Sequence, residues 1–215
     1  MKVQMFTFNP VQENTYILYD ETGECVIIDP GCYQKSEEQK LAQFIESNKL
    51  KPVGCWLTHC HFDHIWGTPY VHQQYNLAPK FHADDLRVYN DTPTRLPTFG
   101  FPTMKLVPYD SHIIASTAQS GSMKFGNTTL EVLFTPGHSP GHVTFFHKES
   151  KQALVGDVIF NGSIGRTDLP GGNLTTLMTT IFQKIIPLGD EVKLYSGHGP
   201  ITDVKTEKRI NPFLK

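Results

Sequence analysis

Polar and apolar positions near the N-terminus set out three short strands, Lys2–Phe8, Thr15–Tyr19 and Glu24–Ile28, with Asp20-Glu21-Thr22-Gly23 as a hairpin turn. Ser36-Glu37-Glu38-Gln39 then has the form of a capping box, and Leu41, Phe44 and Ile45 give the following helix an apolar face. Val53–Leu57 is a buried strand that runs directly into a histidine-rich segment. A helix is predicted from about Ile65 to Tyr75, and a short strand at Lys80–His82. Asp84–Ser111, with four prolines, loses this periodicity and is expected to hold a helix and an irregular loop.

Further on, Met123–Phe125 and Thr128–Phe134 pair across Gly126-Asn127, and His142–Phe146 pairs with Ala153–Val155 across the charged turn Lys148–Lys151. Leu174, Leu177, Met178, Ile181, Phe182, Ile185 and Ile186 form one helical stripe, and Lys193–Ser196 is a last strand. Strands interleaved with helices indicate an α/β architecture rather than a sandwich of strands alone or a bundle.

Length and composition narrow the picture. At 215 residues the chain favours one large domain, residues 1–215, over two small ones. A net charge of −2 with 19% charged residues gives neither a nucleic-acid footprint nor a basic membrane patch, so the expected partner is a small molecule. Oligomeric state is not legible. The first ten residues hold no uninterrupted apolar run, so neither a signal peptide nor a membrane span is expected. Cys25, Cys32, Cys55 and Cys60 lack paired spacing and read as reduced, buried thiols of a cytoplasmic protein.

The chemistry concentrates in Thr58-His59-Cys60-His61-Phe62-Asp63-His64. In an extended segment alternate residues share a side, so His59 and His61 reach one metal while Cys60 points away. Asp63 and His64 need a bend, which the expected helix start supplies. The competing reading is a chance cluster in which Asp63 only caps that helix. Three further strand ends place a potential ligand directly after a glycine: Gly137-His138, Gly156-Asp157 and Gly197-His198. Glycine permits the torsions and close approach that a crowded centre needs. The set divides into His59, His61 and His138 for one metal and Asp63, His64 and His198 for another, with Asp157 able to bridge. Nitrogen and oxygen ligands without thiolate leave a position open for water, the pattern of catalytic zinc. The expected cofactor is two divalent ions, zinc first and iron or manganese as alternatives.

HxHxDH, then GH, GD and GHGP, in this order over nearly the whole chain, resembles the metallo-β-lactamase superfamily. Within it, Pro136-Gly137-His138-Ser139-Pro140-Gly141-His142, Gly165-Arg166-Thr167-Asp168 and the closing Asn211-Pro212-Phe213-Leu214 are similar to the glyoxalase II branch and its short bacterial relatives. The resemblance implies an αββα sandwich, two mixed sheets flanked by helices, with the metals at one sheet edge. It implies the same seven ligands, and it places Asp29 of Ile28-Asp29-Pro30-Gly31 behind the ligand loop, where such a partner fixes imidazole orientation. A plain Asp-Pro-Gly turn is the alternative there. His142 is expected to be structural, and His72, His82, His112 and His147 have no ligand-like context.

Two such metals lower the pKa of bound water toward ~7, so the catalytic nucleophile is expected to be a metal-bound hydroxide, with no separate protein nucleophile. Glyoxalase II-like chemistry implies an acyl thioester such as S-lactoylglutathione as substrate. Only 17 residues follow His198, so the helical glutathione-binding domain of full-length glyoxalase II is not expected. Substrate contacts are then sought in Arg166, Phe160, Tyr33 and the loop of Phe99 to Phe101. Arg166 either pairs with a substrate carboxylate or is tied to Asp168. The main rival is a persulfide dioxygenase with a single iron on His59, His138 and Asp157. A lactonase, a β-lactamase without an export signal and a non-catalytic binding protein of this fold rank lower.

Overall fold

In the computed structural model, which describes residues 1–110 and 121–215, the chain folds because its strands are apolar on both faces. Along β1 (Lys2–Phe8), β2 (Glu13–Tyr19) and β3 (Glu24–Ile28), neighbouring apolar residues face opposite sides. Tyr16, Leu18, Val26 and Ile28 enter one core, while Ile17, Cys25 and Ile27 enter another with Leu41 and Ile45 of α1 (Lys35–Ser47). Burial on both faces calls for a layer on either side of the sheet.

The first sheet continues through β4 (Lys51–Trp56) to β5 (Pro79–Lys80), in the order β1-β2-β3-β4-β5. Between those strands lie α2 (Phe62–Ile65) and α3 (Thr68–Tyr75), and α4 (Leu86–Arg95) follows β5. The second half supplies β6 (Gly121–Phe125), β7 (Thr128–Phe134), β8 (Val143–His147) and β9 (Gln152–Gly156). A small hairpin of β10 (Ile159–Phe160) and β11 (Ser163–Ile164), helix α5 (Leu174–Thr180), β12 (Lys193–Ser196), β13 (Thr202–Asp203) and α6 (Val204–Ile210) complete it. The second sheet has the order β13-β12-β9-β8-β7-β6.

Phe125, Leu130, Val132, Val143, Phe145, Leu154 and Tyr195 of the second sheet meet the first sheet's inner face. On its outer face Phe146, Ala153, Val155 and Leu194 pack against Leu177, Ile181, Ile185 and Val204 of the C-terminal helices. The architecture is the expected αββα sandwich. Alternation in each strand decides which core a side chain joins, and burial of apolar area, at about 25 cal/mol per Å², holds the layers together.

Several boundaries differ from expectation for tertiary reasons. Helix α1 starts at Lys35, capped by Gln34 and Glu37 rather than by Ser36 and Gln39. The Glu37 carboxylate accepts the backbone N–H groups of Tyr33, Gln34 and Asn9, which pulls the helix start two residues earlier. The helix expected from Ile65 to Tyr75 is broken at Gly67, whose N–H donates to Pro30 O at 2.7 Å. A Cβ at Gly67 would strike Cys32, so the break lets the chain press against the loop after β3. The apolar stripe from Leu174 is one continuous helical path, α5 passing into a π turn at Ile181–Ile185, although Leu174 and Phe182 on it are exposed.

Candidate metal centre

The segments that carry the candidate ligands leave the sheets at one edge. β4 runs into Thr58–His64, β7 into Thr135–His142, β9 into Asp157, β12 into Gly197-His198, and β3 into Asp29. The two sheets are tied together there by Asn14 N–H to Gly197 O at 2.7 Å, and Asn14 Nδ2 donates to Ser196 O and Gly199 O. All three predicted glycines are required by space, Gly137 (φ +132°) by the backbone of Leu177. Gly156 has φ +46°, and a Cβ on it would strike Thr58 and His142. A Cβ on Gly197 would strike the Asp157 carboxylate.

Two groups of ligand-capable atoms result. His59, His61 and His138 bring one nitrogen each within 4.8 Å of one another, and Asp63, His64 and His198 do the same with two nitrogens and a carboxylate oxygen. Asp157 lies between the groups: Oδ1 is 3.5 Å from His64 Nε2, and Oδ2 is 3.4 Å from His138 Nε2 and 3.6 Å from His198 Nε2. The seven residues expected together are together. Cys60 points the other way, into a core with Leu57, Ile65 and Phe81, as alternation requires.

The hydrogen bonds around each imidazole fix its tautomer. Asp29 accepts both the N–H and the hydroxyl proton of Thr58 at 2.6 Å, so Thr58 Oγ1 has only a lone pair for His59 Nδ1, 3.0 Å away. His59 therefore carries its proton on Nδ1 and turns a bare Nε2 inward. His138 Nδ1 donates to Arg166 O at 2.7 Å, His64 Nδ1 to Asp29 Oδ2 at 3.2 Å, and His198 Nδ1 to Gln12 O at 3.2 Å. Each of these also presents Nε2 to the centre. The consequence is lone pair against lone pair where His59 Nε2 and His138 Nε2 are 3.2 Å apart, while His198 Nε2, 3.1 Å from Asp63 Oδ2, faces a carboxylate that a proton or a cation on it would satisfy. The buried atoms His64 Nε2 and Asp157 Oδ1 have no hydrogen-bond partner. Such an arrangement fits cations between these atoms. His61 differs, turning Nδ1 inward, 2.8 Å from His138 Nε2.

Proton affinities separate the groups. Burial holds His59 and His138 below the ordinary histidine value and pushes His61 down to about 3. Burial also works against a charge on His64 and His198, but the Asp157 and Asp63 carboxylates outweigh it and hold both above the usual value. Asp63 and Asp157 are lowered despite burial, by the facing imidazoles.

The family model of the metallo-beta-lactamase superfamily matches residues 8–198. The chain belongs to this superfamily. It is 38% identical to a "Probable metallo-hydrolase YqgX" of Bacillus subtilis, covering 100% of this chain and 98% of the relative. It is 33% identical to "Hydroxyacylglutathione hydrolase GloC" of Haemophilus influenzae, covering 100% and 98%. Among solved structures, the BLEG-1 B3 metallo-beta-lactamase superimposes with a TM-score of 0.89 at 34% identity, covering 100% of both chains. TTHA1623, solved in a di-iron-bound form, superimposes with 0.83 at 33% identity, covering 98% of this chain and all of the other.

Above the two groups opens a cleft of about 550 Å³, lined by Phe99, Phe160 and Arg166, three of the residues where substrate contacts were sought, and also by Val11, Phe62, Phe101, Ile164 and Leu169. Tyr33 stands elsewhere: it packs on Trp66 at 4.7 Å and on Phe101 at 6.3 Å, and is not among the cleft-lining residues. Arg166 makes a bidentate pair with Asp168, both bonds 2.7 Å, with both side chains exposed. His142 is structural, its Nδ1 at Thr135 Oγ1 and its Nε2 accepting Asp157 N–H at 3.1 Å. His72 lies on α3, His82 caps a short turn and His147 ends β8, all apart from the two groups, and His112 lies outside the described residues.

Sequence reasoning missed Asp85. Its buried carboxylate accepts Cys60 N–H at 2.8 Å, Gly141 N–H at 2.6 Å and Ser139 Oγ–H at 2.5 Å, joining the loop of His59 and His61 to that of His138. It also missed Glu13, buried behind His64, with Oε2 accepting Thr15 Oγ1 and Oε1 3.9 Å from His64 Nδ1. Glu13 opens β2 among Gln12, Asn14 and Thr15, before the strand expected from Thr15, so nothing local marked it as buried. Asp85 lies in the stretch without periodicity, and nothing in its local sequence distinguishes it from an acid at a helix start.

Proposed function

We propose that this chain, as one domain of residues 1–215, is a metal-dependent hydrolase of acyl thioesters or esters, resembling hydroxyacylglutathione hydrolases. The observation that carries the reading is the pair of buried ligand groups sharing Asp157, with inward Nε2 lone pairs fixed from behind. In this reading His59, His61 and His138 hold one divalent ion, Asp63, His64 and His198 hold a second, and Asp157 spans both. Zinc suits the donor set, and the di-iron-bound form of a 33%-identical structure supports two ions with iron as the alternative. Ions held there supply carbonyl polarisation and activation of water.

The chain's own residues then have defined tasks. Asp29, through Thr58 and His64, locks imidazoles of both groups in their ligating tautomers. The cleft positions the acyl group above the centre. Among the described residues no side chain there is equipped as a nucleophile: Ser163 has no histidine partner, its hydroxyl donating to Ile164 O, and Cys60 is buried away from the cleft. Arg166 is available to a substrate carboxylate by exchange from exposed Asp168. Four free, buried cysteines fit a reducing cytoplasm, and no described helix is long and apolar enough to cross a membrane. The similarity to a B3 metallo-beta-lactamase supports a second reading, in which the same site opens a β-lactam.

The test is metal analysis of the purified protein coupled to S-lactoylglutathione hydrolysis, with a chromogenic cephalosporin in parallel. Two metals per chain with thioester turnover support the proposal. Cephalosporin turnover alone favours the second reading. One iron per chain, with oxygen-dependent sulfite production from glutathione persulfide, overturns both.

A further inference from the structure

The cleft's walls differ chemically from its floor. The floor is His61, Asp63, His138, Asp157 and His198. Of the nine other lining residues, seven are apolar: Val11, then Phe62, Phe99 and Phe101 from the first half of the chain, and Phe160, Ile164 and Leu169 from the second. The rings form one surface, with Phe62 5.1 Å from Phe99 and 5.8 Å from Phe101, and Trp66 4.9 Å from Phe62 and 5.0 Å from Phe101. Phe160 stands 5.9 Å from the His198 ring, so the apolar surface reaches the floor itself.

Positive charge on these walls is scarce. Arg166 is the one Lys or Arg among the described cleft-lining residues, and it can pair with at most one of two carboxylates, by exchange from Asp168. Arg95 borders only a recess of about 20 Å³ beside Phe62 and Phe99, the room of a single water. Glutathione carries two carboxylates, and carboxylates laid against phenylalanine rings lose hydration without gaining a partner. An aryl or alkyl group there gains burial and ring contacts.

From this surface we infer the substrate class, an inference that rests on the hydrolase reading above. The cleft takes thioesters or esters with an apolar, aryl-sized arm lying along Phe62, Phe99, Phe101 and Phe160, in preference to glutathione conjugates. The reaction is a hydrolysis: water's oxygen bonds to the acyl carbon, the carbon–sulfur bond breaks, and the departing thiol takes a proton from that water.

The experiment compares, on the metal-loaded protein, the phenylacetyl and lactoyl thioesters of N-acetylcysteamine with S-lactoylglutathione. The phenylacetyl thioester is expected to lead both in kcat/KM by about tenfold. Phe99→Ala and Phe160→Ala, at partly exposed positions, are expected to lower kcat/KM for the phenylacetyl thioester about tenfold through KM, a larger loss than either variant causes with S-lactoylglutathione. A binding readout without turnover uses Trp66, which touches Phe62 and Phe101: 4-phenylbutyrate should change its fluorescence at lower concentration than glutathione, and less so in Phe99→Ala. Preference for S-lactoylglutathione, with equal effects of both variants on all three thioesters, would overturn the inference and leave the hydrolase reading standing. Absence of turnover on every thioester removes the hydrolase reading, and the fluorescence titration still decides between the apolar acid and glutathione.

Discussion

The two ligand groups sit a few ångströms apart and share Asp157, yet their electrostatics are opposite. His59, His61 and His138 are neutral imidazoles whose charged forms burial disfavours. His64 and His198 face the Asp63 and Asp157 carboxylates and hold protons more tightly than free histidine. The first group is thus poised for a metal without competing protons, whereas the second accepts either a metal or protons. Charge balance rather than geometry distinguishes them, because Asp63 belongs to one group alone.

The most damaging change to this arrangement is at the shared residue. Asp157→Ala removes a neighbour of both groups, so metal content should fall below one per chain and turnover by more than about 100-fold, exceeding the loss typical of an indirect supporter. Far-ultraviolet circular dichroism of the purified variant checks that the fold persists. His198→Ala should separate the groups, with one metal retained and one lost, measured by elemental analysis after dialysis.

Acid should act in the same order. Protons compete with metal only where the imidazole's pKa lies near or above the working pH. With His64 and His198 raised and His61 at about 3, lowering the pH from about 7.5 to about 5.5 should release the second metal while the first stays. Loss of both in one step would remove the distinction. The smallest expected effect is at Asp85. Its carboxylate accepts three donors, and in Asp85→Asn the new amide donor faces one of them, at a cost of about 1–3 kcal/mol. A lower Tm together with weaker metal binding on the His59, His61 and His138 side is the expected signature.

How much of this was visible in the sequence follows from the range of each interaction. The candidate ligands were legible because strand alternation and the glycine-plus-ligand strand ends are local patterns. Most strands were legible for the same reason, since β3, β8 and β9 are apolar runs buried on both faces and β7 alternates buried and exposed positions. Two-residue strands such as β10, β11 and β13 carry too few positions to show a period. The break at Gly67 comes from Pro30, which is not visible locally, and the early start of α1 combines a local cap of Gln34 and Glu37 with the distant backbone of Asn9. Asp85 meets Ser139 across 54 positions and Asn14 meets Gly199 across 185, so their roles exist only in the folded chain. Tyr33 was a reasonable aromatic candidate beside Asp29, but Trp66 and Phe101 occupy it.

The most direct test of the proposed two-metal centre is anomalous diffraction from crystals grown with zinc or iron. Two peaks per chain are predicted, one among His59, His61 and His138 and one among Asp63, His64 and His198, with Asp157 between them. A single fully occupied peak on His59, His138 and Asp157, with Asp63 and His198 still bonded directly to each other, would contradict the account.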